Sequence, residues 1–336
     1  MGRIRFSLNP APPFRLDLTA WAIRRRPENG IDLWDGKTYR RVLIVQGEPA
    51  LINVTQTGGV DAPRLDVTVS GLNEGAQAKA VIASRLELLL GLRIDLTAFY
   101  KLAANQPRLH ELSSRFRGLK PPRFPTLWEG IVNGIACQQL SLTVAIMLLN
   151  RLSAAYGLPF EGPNGRQYAL PKPEDLAAAS PTGVRSLGFS TAKSRALIEL
   201  GQIISDGRLD LGTLADLDNG QAISRLKELR GVGRWTAEYA LLRGLGRIDL
   251  FPGDDVGARK NLERWMRLRK PLDYERVGRI TSRWRPYSGL IYFHLLLDGL
   301  ARGGYLAEGP EAVNRLPERR YRDDQTKTGL RHKNLR

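Results

Sequence analysis

Residues 126 to 157, TLWEGIVNGIACQQLSLTVAIMLLNRLSAAYG, carry apolar side chains around most of a helical circumference. A helix or helix pair of that kind is stable only when other elements cover it on every side, so this segment fixes a helical core around itself. Thr126 and Glu129 have the spacing of a capping box and mark where the segment starts. Cover is supplied downstream. After a Gly- and Pro-rich loop, PFEGPNGRQYALPKP, the segments PEDLAAAS and STAKSRALIELGQIISDG each open on the Pro or Ser/Thr residues that start helices.

Upstream the period is different. RRVLIVQG, ALINVTQTGG and RLDVTVSG are short runs set apart by Gly47-Glu48-Pro49 and Gly58-Gly59, and Leu65, Val67 and Val69 alternate onto one face as in a half-buried strand. From Ala76 the spacing of Val81, Ile82, Leu86, Leu89 and Leu90 becomes helical. The fold class expected is α+β. A small N-terminal antiparallel β-sheet domain with helices would occupy residues 1–110, and an all-α body, entered through the connector GLKPPRFP, residues 111–310. Residues 311–336 are basic, lack periodicity and read as a mobile tail.

Charge narrows the partner. Lys and Arg number 51 against 34 Asp and Glu, a net +17, which favours a polyanion such as nucleic acid over a small neutral ligand. No apolar run reaches the roughly 18 residues that span a bilayer, and the N-terminus shows no secretory leader, so a cytoplasmic, nucleoid-associated protein with no membrane partner is expected. Cys137 is the only cysteine, and His110, His294 and His332 are scattered without ligand spacing. No side-chain metal site is expected, and the chemistry must come from carboxylates, hydroxyls, amines or backbone.

The stretch LRGVGRWTAEYALLRGLGRIDLFPGDDVG joins two helical stripes through Gly231 and Gly233. Glycines there let the backbone turn through positive φ and let another chain come close, and a turn that leads into a helix N-terminus offers several N–H groups to an anion. For a basic chain a DNA phosphate is the anion to consider; a lone Gly-x-Gly between helices also serves as a plain connector. Asp254 and Asp255 follow, just before the helix VGARKNLERWMRL. Read alone, the pair is first a helix cap and only second a catalytic carboxylate.

Taken together, this stretch resembles the hairpin, Gly/Pro loop and aspartate of the helix-hairpin-helix DNA base-excision glycosylases, and within them the 3-methyladenine DNA glycosylase II branch. FRGLKPPRFPTLWEGIVNGIACQQLS, VRSLGFSTAKSRALIEL, SRWRPYSGLIYFHLLLDG and DLWDGKTYRRVL resemble further blocks of that branch, so the likeness spans most of residues 12–305. It implies two helical subdomains flanking a cleft. It also implies a monofunctional enzyme that flips an alkylated purine out of double-stranded DNA and removes it by hydrolysis, leaving an abasic site.

Residue by residue, the resemblance makes Asp255 the catalytic carboxylate and Asp254 the loop anchor or cap. The pocket falls to Trp235, Tyr239, Gln138 and Leu296, and the wedge that fills the gap in the base stack to Gln139. Arg230, Gly231, Gly233 and Arg234 would contact DNA phosphates, with Lys193, Arg195 and Arg259 as further candidates. Bifunctional relatives carry a Schiff-base lysine where this chain has Trp235, and the single cysteine rules out the iron–sulfur branch. The chain departs from the best-known bacterial member at Gln139, where that member has an apolar wedge, and at Leu296, where it has a tryptophan. No cofactor is required, although such hairpins can hold a monovalent cation on their carbonyls, and a monomer is expected. The alternatives are a non-catalytic DNA-binding protein that uses the hairpin as a phosphate clamp, and a glycosylase for oxidised or deaminated purines.

Overall fold

The structure is a computed structural model that describes residues 3–72, 76–162 and 165–306. The predicted tail therefore lies outside the described residues. In chain order the elements are β1 (Arg3–Leu8), α1 (Leu16–Arg24), β2 (Leu33–Trp34), β3 (Thr38–Val45), β4 (Glu48–Gln56), β5 (Leu65–Ser70), α2 (Ala76–Leu89), α3 (Thr97–Ala104), α4 (Pro107–Arg115), α5 (Leu127–Cys137) and α6 (Leu142–Tyr156). They continue with β6 (Pro159–Gly162), β7 (Gly165–Tyr168), α7 (Pro173–Ala177), α8 (Pro181–Ser186), α9 (Thr191–Ser205), α10 (Asn219–Lys227), α11 (Arg234–Ala240), α12 (Val256–Met266), α13 (Tyr274–Thr281) and α14 (Ser288–Arg302).

The sheet is antiparallel in the order β1-β5-β4-β3-β2. Leu65, Val67 and Val69 of β5 point to one face as their alternation predicts, and Ala20 and Ile23 of α1 with Ile82 and Leu86 of α2 cover that face. On the other face Val42 and Leu51 pack against Phe160 and Ala169, which places the β6–β7 hairpin there.

The apolar segment is a helix pair, α5 and α6, interrupted at Gln138–Ser141. The Thr126 hydroxyl accepts from the Glu129 N–H at 3.1 Å, but the Glu129 carboxylate pairs with Arg41 of β3 instead of returning to the cap, so only half of the expected capping box forms. Around this pair lies one helical core, with Ile131, Ile135, Leu149, Leu152, Leu197 and Ala237 among its members. A second core draws Phe99, Leu109 and Phe116 from α3, α4 and the turn after them together with Leu262, Val277, Phe293 and Leu297 from α12, α13 and α14. Helices on both sides of residue 110 thus share one interior.

Close packing sets the position of the hairpin. On α5, a Cβ at Gly134 would lie 2.7 Å from Thr236 Cγ2 and one at Gly130 would meet the Ala240 backbone at 3.4 Å. Gly134 therefore lets α11 approach α5 more closely than a side chain there would permit, while Gly130 sits at ordinary contact distance.

Candidate active site

Between the two helical cores lies a cleft of about 1100 Å³. α5, the turn after it and α11 form one wall, α12 and α14 the other, and Arg25 at the end of α1 lines it as well. The hairpin at its mouth is α10, the turn 228–233 and α11. Gly231 has φ +77°, and a side chain there would collide with Ala196 of α9, so glycine is required by both conformation and space. Gly233 differs from the expectation: its φ is −87°, an ordinary value, and what its missing side chain provides is open space before the first N–H groups of α11.

At the far side of the cleft Asp255 is the N-cap of α12. Its Oδ1 accepts from the Ala258 N–H at 2.8 Å, and Oδ2 accepts from Trp235 Nε1 at 3.3 Å and Tyr292 Oη at 3.1 Å. Three donors complement negative charge on this carboxylate, two of them from the opposite wall and from α14. Burial and the neighbouring Asp255 push the Tyr292 phenol well above its ordinary range, so it stays a donor. Asp254 is a loop anchor and not the cap: it pairs with Arg234 at 2.7 Å, and that guanidinium lies 3.5 Å above the Tyr274 ring.

The loop that carries the aspartates is held from behind. Glu238 is buried, its Oε1 accepting from Tyr274 Oη at 2.6 Å and its Oε2 from the Gly253 N–H at 3.2 Å. Burial raises its carboxyl above the usual range, and it lies away from the cleft lining. The floor of the cleft is aromatic and cationic. Trp235 and Tyr239 stand one turn apart with ring centroids 5.3 Å apart, and the buried Arg25 donates to Tyr239 Oη and to Asn133 Oδ1, both at 2.7 Å.

Against this geometry the comparisons are specific. Residues 132–286 match the family described as "HhH-GPD superfamily base excision DNA repair protein", a span that includes the hairpin, Asp255 and most of the helices around them. Those residues form a domain of this superfamily. It is 29% identical over 202 residues to the DNA-3-methyladenine glycosylase of Bacillus subtilis, covering 60% of this chain and 66% of that one. It is 26% identical over 293 residues to DNA-3-methyladenine glycosylase 2 of Escherichia coli, covering 86% and 96%. A solved 3-methyladenine DNA-glycosylase from Archaeoglobus fulgidus shares the fold with a TM-score of 0.77 at 23% identity, covering 90% of this chain and all of that one.

For a superfamily domain built on a hairpin and an aspartate, the structure brings most of the predicted site together. Asp255, Trp235, Tyr239, Gln138, Gln139 and Leu296 all line the cleft. Gln138 lines it while spending its amide elsewhere, on the Gly231 carbonyl at 2.7 Å and Thr236 Oγ1 at 2.9 Å. Gln139 is exposed at φ +55°. Arg230 is exposed and 3.4 Å from Glu199, free to turn outward, whereas Arg234 is committed to Asp254 and Tyr274. Lys193 faces inward onto carbonyls of α5. Among the described residues no group of three or more His, Cys, Asp or Glu could hold a metal, and no helix is long and apolar enough to cross a membrane.

Tyr292, Arg25 and Glu238 were not singled out from the sequence. Tyr292 could have been found, because it stands one helical turn before Leu296 and so shares its face. Arg25 carried no such signal: its partner Tyr239 is 214 positions away.

Proposed function

We propose that this protein is a monofunctional DNA base-excision repair glycosylase that extrudes alkylated purines of the 3-methyladenine type from duplex DNA and removes them by hydrolysis, leaving an abasic site. The observation that carries the reading is the Asp255 carboxylate, fixed by three hydrogen bonds at the wall of an aromatic-floored cleft directly beside Trp235. Relatives over most of the chain's length bear the name of that activity.

The hairpin offers its N–H groups and Arg230 to the backbone, which holds a duplex without reading its sequence. An extruded electron-poor purine stacks on Trp235, which the buried Tyr239 ring supports from below, and a cationic base gains from the exposed ring face. As the glycosidic bond lengthens, positive charge develops on the deoxyribose, and the Asp255 carboxylate stabilises it and orients the attacking water. The base already carries the positive charge that an ordinary leaving group would acquire from an acid, so it departs neutral and one carboxylate suffices. The other buried carboxylate nearby, Glu238, faces the loop. Where a lyase would place its lysine this chain has an indole that donates to Asp255, so no imine forms and the strand stays intact. The reading requires no cofactor and takes a monomer acting on DNA in the cytoplasm.

A duplex oligonucleotide with one alkylated adenine tests it. The wild type should release the base, and Asp255→Asn should slow release by about 10²–10³-fold while duplex affinity is retained. Failure of the wild type to release any alkylated, deaminated or oxidised purine would leave only the phosphate-clamp reading. A borohydride-trapped covalent complex would instead establish a lyase.

A further inference from the structure

The turn that interrupts the apolar helix pair is tied down more firmly than a surface turn requires. Lys193 sits in the first turn of α9, at the positive end of that helix, where a cation is poorly placed. Its Nζ reaches the other way and donates to the carbonyls of Ala136 at 3.0 Å and Gln138 at 2.7 Å, at the end of α5 where carbonyls lack helical partners and the helix end is negative. Gln138 extends the link through its side-chain amide, which donates to the Gly231 carbonyl and to Thr236 Oγ1. The start of α9, the end of α5 and the hairpin turn are thereby closed at one point.

On the other side of the turn Ser141 caps α6 by accepting from the Val144 N–H at 3.3 Å. Only Gln139 and Leu140 lie between the two anchored ends. Both are exposed at the cleft, Leu140 to 42%, and Gln139 is held in the left-handed region at φ +55°, a conformation that a non-glycine residue keeps only when its surroundings impose it.

We infer that Lys193 and Gln138 are positioning residues, a brace that fixes the Gln139–Leu140 tip to the phosphate-gripping hairpin so that grip on the backbone and entry of the tip into the base stack act as one rigid unit. The inference rests on the glycosylase reading above. Lys193 then contributes to extruding a stacked base and contributes little once the base is already out.

The experiment uses the full chain and two duplexes that carry the same alkylated purine, one with the lesion paired and one with it in a single-nucleotide bulge. Single-turnover base release by Lys193→Met should fall about tenfold or more on the paired lesion and by less than about threefold on the bulged one, and Lys193→Arg, which keeps donors for both carbonyls, should restore the paired rate. Lys193→Gln, which keeps one short donor, should show the same split to a smaller degree, so the test survives if Lys193→Met folds poorly. Equal losses on both duplexes would overturn the brace. So would a salt dependence of undamaged-duplex binding that is shallower by about one counterion in Lys193→Met, since that would make Lys193 a phosphate contact. Fluorescence of 2-aminopurine beside the lesion reports extrusion without base release. A wild type that releases no base therefore sinks the glycosylase reading, while an unchanged extrusion signal in Lys193→Met sinks the brace alone.

Discussion

Two groups of charges in this molecule use the same residue types to opposite ends. Where the sheet meets α5, Arg41 donates to Asp32 at 2.7 Å and to Glu129, and Tyr39 donates to the same Asp32 oxygen at 2.7 Å. Arg41 and Asp32 are nearly inaccessible, so the group is closed on itself and acts as a staple between the sheet and the helical body. At the cleft, Asp255 also takes several donors, yet it stays part-exposed and faces open space. A fixed carboxylate is open to a ligand only when protein donors hold one side and leave the other uncovered, as at Asp255 and not at Asp32.

The largest effect should come from opening the closed group. Arg41→Ala leaves two buried carboxylates without their cation, and chemical denaturation should show a loss of about 3–5 kcal/mol. Base release at a temperature where the variant is folded should be near that of the wild type. A stability loss below about 1 kcal/mol would mean that the staple is no more valuable than a surface ion pair.

His294 lies between the two cases. It is a buried imidazole whose Nδ1 meets the Leu290 carbonyl at 2.9 Å, and among the described residues its Nε2, beside Phe99 and Phe116, has no hydrogen-bond partner. Burial lowers its pKa from 6.5 to about 4. Because the folded value is the lower one, the unfolded chain takes up the proton first as the pH falls. Stability is complete above pH 6.5 and declines toward pH 4, by about 3 kcal/mol from this residue. Unfolding free energies across that window for the wild type and His294→Gln should differ in slope; parallel curves would contradict the assignment.

Glu238→Leu addresses the open site more gently. It leaves the Gly253 N–H and the Tyr274 hydroxyl without their shared acceptor, and the aspartate loop loses its tie from behind. The expected result is a slowing of base release of about tenfold with duplex binding unchanged, corresponding to the loss of the loop's hydrogen bond to Glu238. Undiminished single-turnover rates would show that Asp255 holds its place without this support.

Much of this was legible in local pattern. The change from alternation to helical spacing near Ala76, the helix pair at 126–157, the glycine turn and the aspartates all depend on residues close in sequence, and they appear where periodicity put them. The misassigned details share one cause. Spacing gives equal standing to Asp254 and Asp255 as caps, and only the direction of the chain out of the Gly/Pro loop aims Asp255 at the Ala258 N–H and leaves Asp254 to Arg234. Similarly, Glu129 fits a capping box by spacing, but Arg41, 88 positions earlier, offers it a full charge in a buried setting.

Local sequence was enough for the elements, the net positive charge, and an aspartate pair and a tryptophan placed within one short stretch around the glycine turn. Tertiary structure decided which side chains finish that site. Tyr292 reaches Asp255 across 37 positions and Arg25 reaches Tyr239 across 214, by hydrogen bonds that exist only after two helical cores have packed and left a cleft between them. Hydrophobic periodicity encodes which face of an element is buried, whereas a long-range polar contact depends on where each buried face comes to rest.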